Sequence, residues 1–228
     1  MGRGYFVSPE ILQTGQSPGS SADEGRLAHP GGAVRPVRTR LEHTEETALP
    51  ELAKTLRKQK KKKNFHGLYD YVVIDLTYSS CRMASNHLTR GQVESIYRKG
   101  KIRESFEPLK VSDVIEALNH IHCVGYILDH VMEPLDTRFI RKLHELLMAG
   151  TVDAYRQRVR PGEYRTTIPK NRDRPMIQGS QIHSSLTMLI EYYETRAEIE
   201  RNQILEFHVR FEQIHPFDDG NGRVGRLI

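Results

Sequence analysis

The stretch HPFDDGNGRVGR at 215–226 gathers residues that could do chemistry together. His215 titrates near neutrality by type, so it can take or release a proton at physiological pH. Asp219 offers the hard oxygen that Mg2+ takes, one or two carboxylates being completed by phosphate oxygens. Gly220 and Gly222 permit positive φ and let backbone approach a ligand closely. A helix restarting near Asn221 would aim its first free N–H groups into the same turn, where they suit an anion. Arg223 and Arg226 are three apart and share a face of that helix. Two guanidiniums beside backbone amides suit a polyphosphate. Base, metal ligand, amides and two arginines are what transfer of a phosphoryl or nucleotidyl group needs, because catalysis there is mostly positioning and charge stabilisation. Singly, each residue has a plainer reading: a charged Gly-rich turn joins many helix pairs, and a lone histidine often just ends a helix. The whole string favours chemistry.

The elements that must hold this turn follow from apolar spacing. Ile204, Phe207, Phe211 and Ile214 form a helical stripe. Pro216 must end that helix near His215, because it disfavours helical backbone in the residue before it. Phe217 is placed to plug the turn into the core. Further stripes run through Val114, Leu118, Ile121, Leu128 and Met132, through Phe139, Leu143, Leu146 and Leu147, and through Ile182, Leu186, Leu189 and Tyr193. Ser112 and Asp136 are expected as N-caps of the first two, and Gly150 as a C-terminal stop. ELAKTLRKQKKKK and LYDYVVIDLTYSS also read as helical, although VVI could begin a strand. Strand character is confined to YRTTI and PMIQ around a polar turn at 164–178. The expected fold class is all-α, a helical bundle with one β-hairpin.

Composition narrows the function classes. The chain has 228 residues, 37% of them hydrophobic, with no Trp, which allows one modest core. Residues 1–50 are rich in Gly, Ser, Pro and charge, and are expected to be a disordered tail. The formal charge is +5, much of it in RKQKKKK at 57–63, which reads first as a solvated helix face. No apolar run is long enough to span a membrane, and no secretory or myristoylation signal is present at the start. The two cysteines, Cys81 and Cys123, form no CxxC pair, so a disulfide scaffold is excluded and a reducing, cytoplasmic setting is expected. Nucleic-acid binding through 57–63 ranks last, since no aromatic residue is interleaved with the run.

The string at 215–226 closely resembles the signature of the Fic family, HxFx[D/E]GNGRxxR, in every specified position: His215, Phe217, Asp219, Gly220, Asn221, Gly222, Arg223 and Arg226. The resemblance extends from about residue 65 to the end. EALNHIHCVGYILD at 116–129 and LDTRFIRKLHELLMAGT resemble the first two core helices, and GEYRTT at 162–167 resembles the start of the flap hairpin. It implies a Fic-type bundle with a flap, divided here into a tail (1–50), an N-terminal helical region (51–110) and a Fic core (111–228). It implies a protein adenylyltransferase that moves AMP from ATP, with Mg2+ or Mn2+, onto a Ser, Thr or Tyr hydroxyl of a target protein. His215 would deprotonate that hydroxyl and Asp219 would hold the metal. Gly220, Asn221 and Gly222 would hold the α-phosphate region, and Arg223 and Arg226 the β- and γ-phosphates. Tyr164, Arg165, Thr166, Thr167 and Ile168 would form the target-binding flap. The partners implied are a hydroxyl-bearing protein substrate, the chain itself as an acceptor, and a second copy in a homodimer, with no membrane and no nucleic acid. Relatives that transfer UMP or another phosphate-linked group keep the same site. Doc-type kinases put lysine at the signature's first glycine, and Gly220 argues against that branch. An inactive remnant or an interaction module is the non-enzymatic alternative.

Many Fic proteins also carry an inhibitory helix, [ST]xxxE[GN], whose glutamate pairs with the second signature arginine. TYSSCRMASNHLT resembles it, with Ser80, Asn86, Leu88 and Thr89 in place. The glutamate position holds Ala84, and the next holds Ser85. The resemblance therefore implies a missing brake. The sequence ends two residues after Arg226, whereas Fic cores continue this helix and add another, so a C-terminally truncated core with an incomplete nucleobase pocket is expected.

Overall fold

The computed structural model describes residues 50–62, 66–102, 108–168, 176–196 and 199–228. The expectation of a disordered tail over 1–50 falls, apart from Pro50, outside the described residues.

Three helices come first: α1 (Glu51–Lys62), α2 (Leu68–Met83) and α3 (Arg90–Lys99). VVI lies within α2, so its apolar run is a helix face. Thr89 caps α3 reciprocally with Gln92, each side chain bonding the other's backbone. The Lys-rich α1 is anchored to α4 (Val111–Asp129). Arg57 Nε donates to Leu128 O at 2.9 Å and Lys60 Nζ to Gly125 O at 2.9 Å. Arg57 thus satisfies carbonyls in the last turn of α4, which a helix leaves without partners, and Lys60 adds a bond just before it.

The buried residues of α4, among them Ala117, Asn119, His120, Cys123 and Leu128, place it between α2 and α5 (Thr137–Met148). Asp136 caps α5 as expected, Oδ1 accepting from Phe139 N at 2.7 Å. Ser112 does not cap α4. The N-cap is Lys110, and Ser112 lies inside the first turn. Asn119 Nδ2 donates to Leu147 O and Ala149 O, which closes α5 from the side. A single turn, α6 (Val152–Tyr155), follows Thr151. Then come α7 (Ile182–Glu194), entered through a 3-10 turn at Gly179–Gln181, α8 (Arg201–Ile214) and α9 (Asn221–Leu227). One core cluster runs from Tyr69 and Val73 through Leu143, Leu147, Leu186 and Phe211 to Phe217, Val224 and Leu227.

The helical part of the expected fold is present, but the β-hairpin is not. Among the described residues there is no strand, and residues 164–168 and 176–178 are irregular. Residues 169–175 lie outside the described set. The reason is visible in Arg165. Its backbone N–H goes to Pro216 O at 2.9 Å, and its guanidinium takes Thr167 O at 3.1 Å and Ile177 O at 2.7 Å. Carbonyls that a hairpin would turn toward its own ladder are drawn to one side chain instead.

Candidate active site

The site is built where α8 stops and α9 starts. The last residue of α8 is Ile214, and His215 is its C-cap in the left-handed region, φ 49° and ψ 64°. Its N–H still reaches Phe211 O at 3.0 Å, while Pro216 prevents a further turn. A non-glycine residue in this conformation costs roughly 1–2 kcal/mol, so surrounding contacts must hold it there. Phe217 is fully buried and stacks face to face on His144, ring centroids 3.8 Å apart.

Asn221 is the staple of the turn. Its Oδ1 accepts from Phe217 N at 2.9 Å, and its Nδ2 donates to Phe217 O at 2.8 Å and meets His215 Nε2 at 3.0 Å. Phe217 N can only donate, so the amide orientation is fixed by the network. The group facing His215 Nε2 is therefore a donor, and Nε2 must present its lone pair. In the neutral ring the proton then sits on Nδ1, leaving Nε2 as the basic nitrogen.

His144 ties the same turn down from α5. It is 0% exposed. Its Nδ1 accepts from Gly162 N at 2.9 Å, so its other nitrogen, Nε2, carries the proton and donates to Asp219 O at 3.2 Å. Burial pushes its pKa down to about 4, which keeps it in this neutral form. Gly220 sits at φ 78°, a conformation that favours glycine, and a Cβ there would crowd Met148 Sδ at 3.2 Å.

The two arginines of α9 share a helix face but have different partners. Arg223 is only 4% exposed. It pairs with Asp219 Oδ2 at 3.0 Å and with Glu116 Oε2, from α4, at 3.1 Å. Burial holds the Glu116 carboxyl above the usual carboxylate range, against the pull of Arg223. Arg226 is half-buried. Its Nε donates to Ser80 Oγ and its Nη2 to Ser80 O, both at 3.0 Å. Burial also lowers its pKa from the ordinary arginine value. Gly222 makes room for it, since a Cβ there would lie 3.0 Å from Arg226 Nη1. Ala84 is exposed as the C-cap of α2, one turn beyond Ser80. The groups of α2 that hold Arg226 are thus a hydroxyl and a carbonyl, both neutral.

Of the flap residues, Thr166, Thr167 and Ile168 are exposed, and Tyr164 is half-buried beside Phe217 with Arg141 over its ring. Arg165 is turned inward and 1% exposed. Its side chain meets the end of α8 and the flap backbone, not solvent. His144, Glu116 and the inward role of Arg165 were not legible in the sequence. His144 sits at an ordinary core position of an amphipathic helix, and Glu116 lies 107 residues before Arg223. Half-buried His208 packs against Gly225, where a Cβ would come within 2.9 Å of its Nδ1.

Among the described residues no cluster of three His, Cys, Asp or Glu could cage a metal by itself, and no helix is long and apolar enough to cross a membrane. Asp219, with a half-exposed carboxylate, suits an ion completed by phosphate oxygens and water.

Comparison with known proteins bears on the fold. The Fic/DOC family profile matches residues 134–228. Solved structures with the same fold include a Fic domain containing signaling protein from Bacteroides thetaiotaomicron, with TM-score 0.59 and 21% identity over 76% of this chain and 70% of that one. A Fic family protein from Desulfovibrio desulfuricans matches with TM-score 0.55 and 21% identity over 78% of this chain and 56% of that one. A solved segment of Fic-1 from C. elegans matches with TM-score 0.54 and 17% identity over 76% of this chain and 54% of that one. No curated protein sequence matches. Residues 134–228, which carry the α8–α9 turn and both arginines, match the Fic/DOC family model, and the helical fold is similar to that of solved Fic structures.

Proposed function

We propose that this chain is a protein adenylyltransferase, moving AMP from ATP onto a Ser, Thr or Tyr hydroxyl of a protein, itself included. The observation that carries the reading is the bond network of Asn221. It keeps the proton off His215 Nε2, whose lone pair Asn221 occupies until a hydroxyl takes its place, at the head of a turn that carries an exposed carboxylate and two arginines. His215 Nε2 accepts the proton of the attacking hydroxyl as its oxygen bonds to the α-phosphorus of ATP, and pyrophosphate leaves with the electron pair of the broken P–O bond. Asp219 would hold Mg2+ or Mn2+, which would neutralise phosphate charge when bound. Arg226, folded over Gly222, supplies positive charge to the outer phosphates. Arg223 keeps the Asp219 carboxylate in place from behind. The exposed Thr166, Thr167 and Ile168 offer backbone to an extended segment of the target.

The resting site also lacks the inhibitory carboxylate of α2. Among the described residues of α2, Ser80 is the hydrogen-bond partner of Arg226, and the place of a glutamate is taken by Ala84. Ala84→Glu should lower transfer about tenfold, by pairing with Arg226 in competition with phosphate.

The test is incubation with ATP radiolabelled at the α-phosphate, with Mg2+ or Mn2+, beside His215→Ala and Arg226→Ala. Label on the wild type that is lost in His215→Ala supports the reading. A folded wild type that binds ATP but takes label only from the γ-phosphate overturns it in favour of phosphate transfer. No nucleotide binding at all overturns it in favour of an interaction module.

A further inference from the structure

We propose that Arg165 is the positioning residue of His215, a single guanidinium that sets the direction of the base and its distance from the flap. The inference rests on reading His215 as the base. Arg165 heads the fully buried side chains of the molecule. On one side its Nε donates to His215 O at 2.7 Å and its Nη2 to Ile214 O at 3.3 Å. On the other, Nη2 donates to Ile177 O at 2.7 Å and Nη1 to Thr167 O at 3.1 Å. Its own backbone N–H holds Pro216 O. Three consecutive carbonyls, 214 to 216, are thus bound by one residue.

That residue acts where the backbone needs help. The left-handed turn at His215 is unfavourable for a residue with a Cβ, and the conformation fixes both the Cα–Cβ direction and the carbonyl direction. Holding the carbonyl therefore aims the ring. The positive charge also faces the negative end of α8, where unpaired carbonyls concentrate. With the ring aimed, Nε2 meets Asn221 at 3.0 Å and stays over the turn.

The other side of the guanidinium closes the base of the flap. The two legs already run in contact. A Cβ on Gly179 would lie 2.8 Å from Arg165 O and 2.9 Å from Thr166 O. Because the group is planar and its donors are fixed relative to one another, the flap backbone and the His215 carbonyl keep a set spacing. A target strand laid along Thr166–Ile168 is then delivered at a fixed reach from Nε2. Lysine cannot replace this function. Its ammonium is one point of charge and cannot span both sets of carbonyls.

The experiment compares wild type, Arg165→Lys and Leu189→Ala, the last a core cavity in α7 remote in sequence from the turn. Steady-state transfer of AMP is measured together with the 15N resonances of the histidine rings. Arg165→Lys is expected to lower kcat about 100-fold, the order that misplacement of a reacting group costs, with KM for ATP within about twofold. The His215 Nε2 resonance shifts in the same protein. Leu189→Ala is expected to lose comparable thermal stability with kcat retained, which separates positioning from general weakening. Equal kcat losses in the two variants, or an unmoved His215 resonance in Arg165→Lys, overturn the proposal. If Arg165→Lys does not fold, Gly179→Ala is read in its place. It pushes the legs apart while keeping the guanidinium, and a His215 resonance identical to wild type overturns the proposal there too. Should the wild type transfer no AMP, the adenylyltransferase reading falls, and the ring resonances still decide whether Arg165 aims His215.

Discussion

Residues 215–226 and the described parts of 164–178 are both connections between helices, held in opposite ways. The first has a network of its own, to which Arg165 and His144 add bonds from outside. Asn221 reaches back four and six residues, and Arg223 reaches back four to Asp219. The second has little of its own. Thr166, Thr167 and Ile168 are exposed, and order comes from Arg165 reaching 50 residues along the chain to His215. A turn that closes on itself carries its geometry in its spacing. A segment fastened chiefly by one buried side chain takes its geometry from the residues that side chain reaches, and is left exposed where the proposed target strand would lie.

The largest expected effect breaks the self-held turn. Asn221→Ala removes the partners of Phe217 N–H and C=O in a buried setting and the donor facing His215 Nε2. Unpaired buried backbone groups cost about 1–3 kcal/mol each, so a stability loss of about 2–3 kcal/mol is expected by denaturant unfolding. Transfer should fall at least about 100-fold, since the base is no longer oriented. Asn221→Asp keeps the acceptor for Phe217 N–H but sets a negative charge beside Nε2. The acid limb of its rate–pH profile should move to higher pH, because imidazolium is then favoured. A variant with wild-type rate and stability would mean that the turn is held elsewhere.

How much of each region was legible follows from the same contrast. The end of α8 at Pro216, the cap at Asp136 and the restart of the helix at Asn221 are set by neighbours within a turn or two. Local spacing therefore placed them. The alternation of β-prone residues in YRTTI and PMIQ suggested a hairpin, because propensity describes what a backbone does when paired with itself. It could not register that Arg165 would collect the carbonyls of both legs. Glu116 and His144 were hidden for a related reason. Each occupies an unremarkable helical position, and its partner lies far along the chain.

A smaller effect sharpens the self-held side. Gly222→Ala places a Cβ 3.0 Å from Arg226 Nη1, the far end of a flexible side chain. The fold should tolerate this, with less than about 1 kcal/mol of stability changed, because the guanidinium can swing aside. The swing moves its charge away from the outer phosphates, so KM for ATP should rise about tenfold with kcat less affected. A rise in KM without a loss of thermal stability distinguishes a phosphate-facing Arg226 from one that only braces α2. On the flap side, Ile168→Ala removes an exposed side chain. It should leave stability and ATP binding unchanged and alter transfer to a protein target only about threefold, since strand-like pairing uses backbone.

The smallest effect near neutrality lies at the joint between the two regions. His144 accepts from Gly162, at the start of the flap segment, and donates to Asp219 O in the turn. Both bonds need the neutral ring, and protonated Nδ1 cannot accept from Gly162 N–H. Its folded pKa is depressed to about 4, below the ordinary value near 6.5. The unfolded chain therefore binds the proton more readily. The stability His144 contributes is complete above about pH 6.5 and is lost as pH falls toward 4. At about pH 5.5 the loss should be about 1 kcal/mol by denaturant unfolding. His120, fully buried against Thr77 and pushed down to about 3, adds a loss of the same sign that begins at the same pH and continues further down, toward 3. His144→Gln can keep a donor to Asp219 O but not both bonds at once. It should weaken the protein at neutral pH and flatten the decline between about pH 6.5 and 4. An unflattened decline in His144→Gln would assign the acid sensitivity to His120 and leave the joint between flap and turn indifferent to pH.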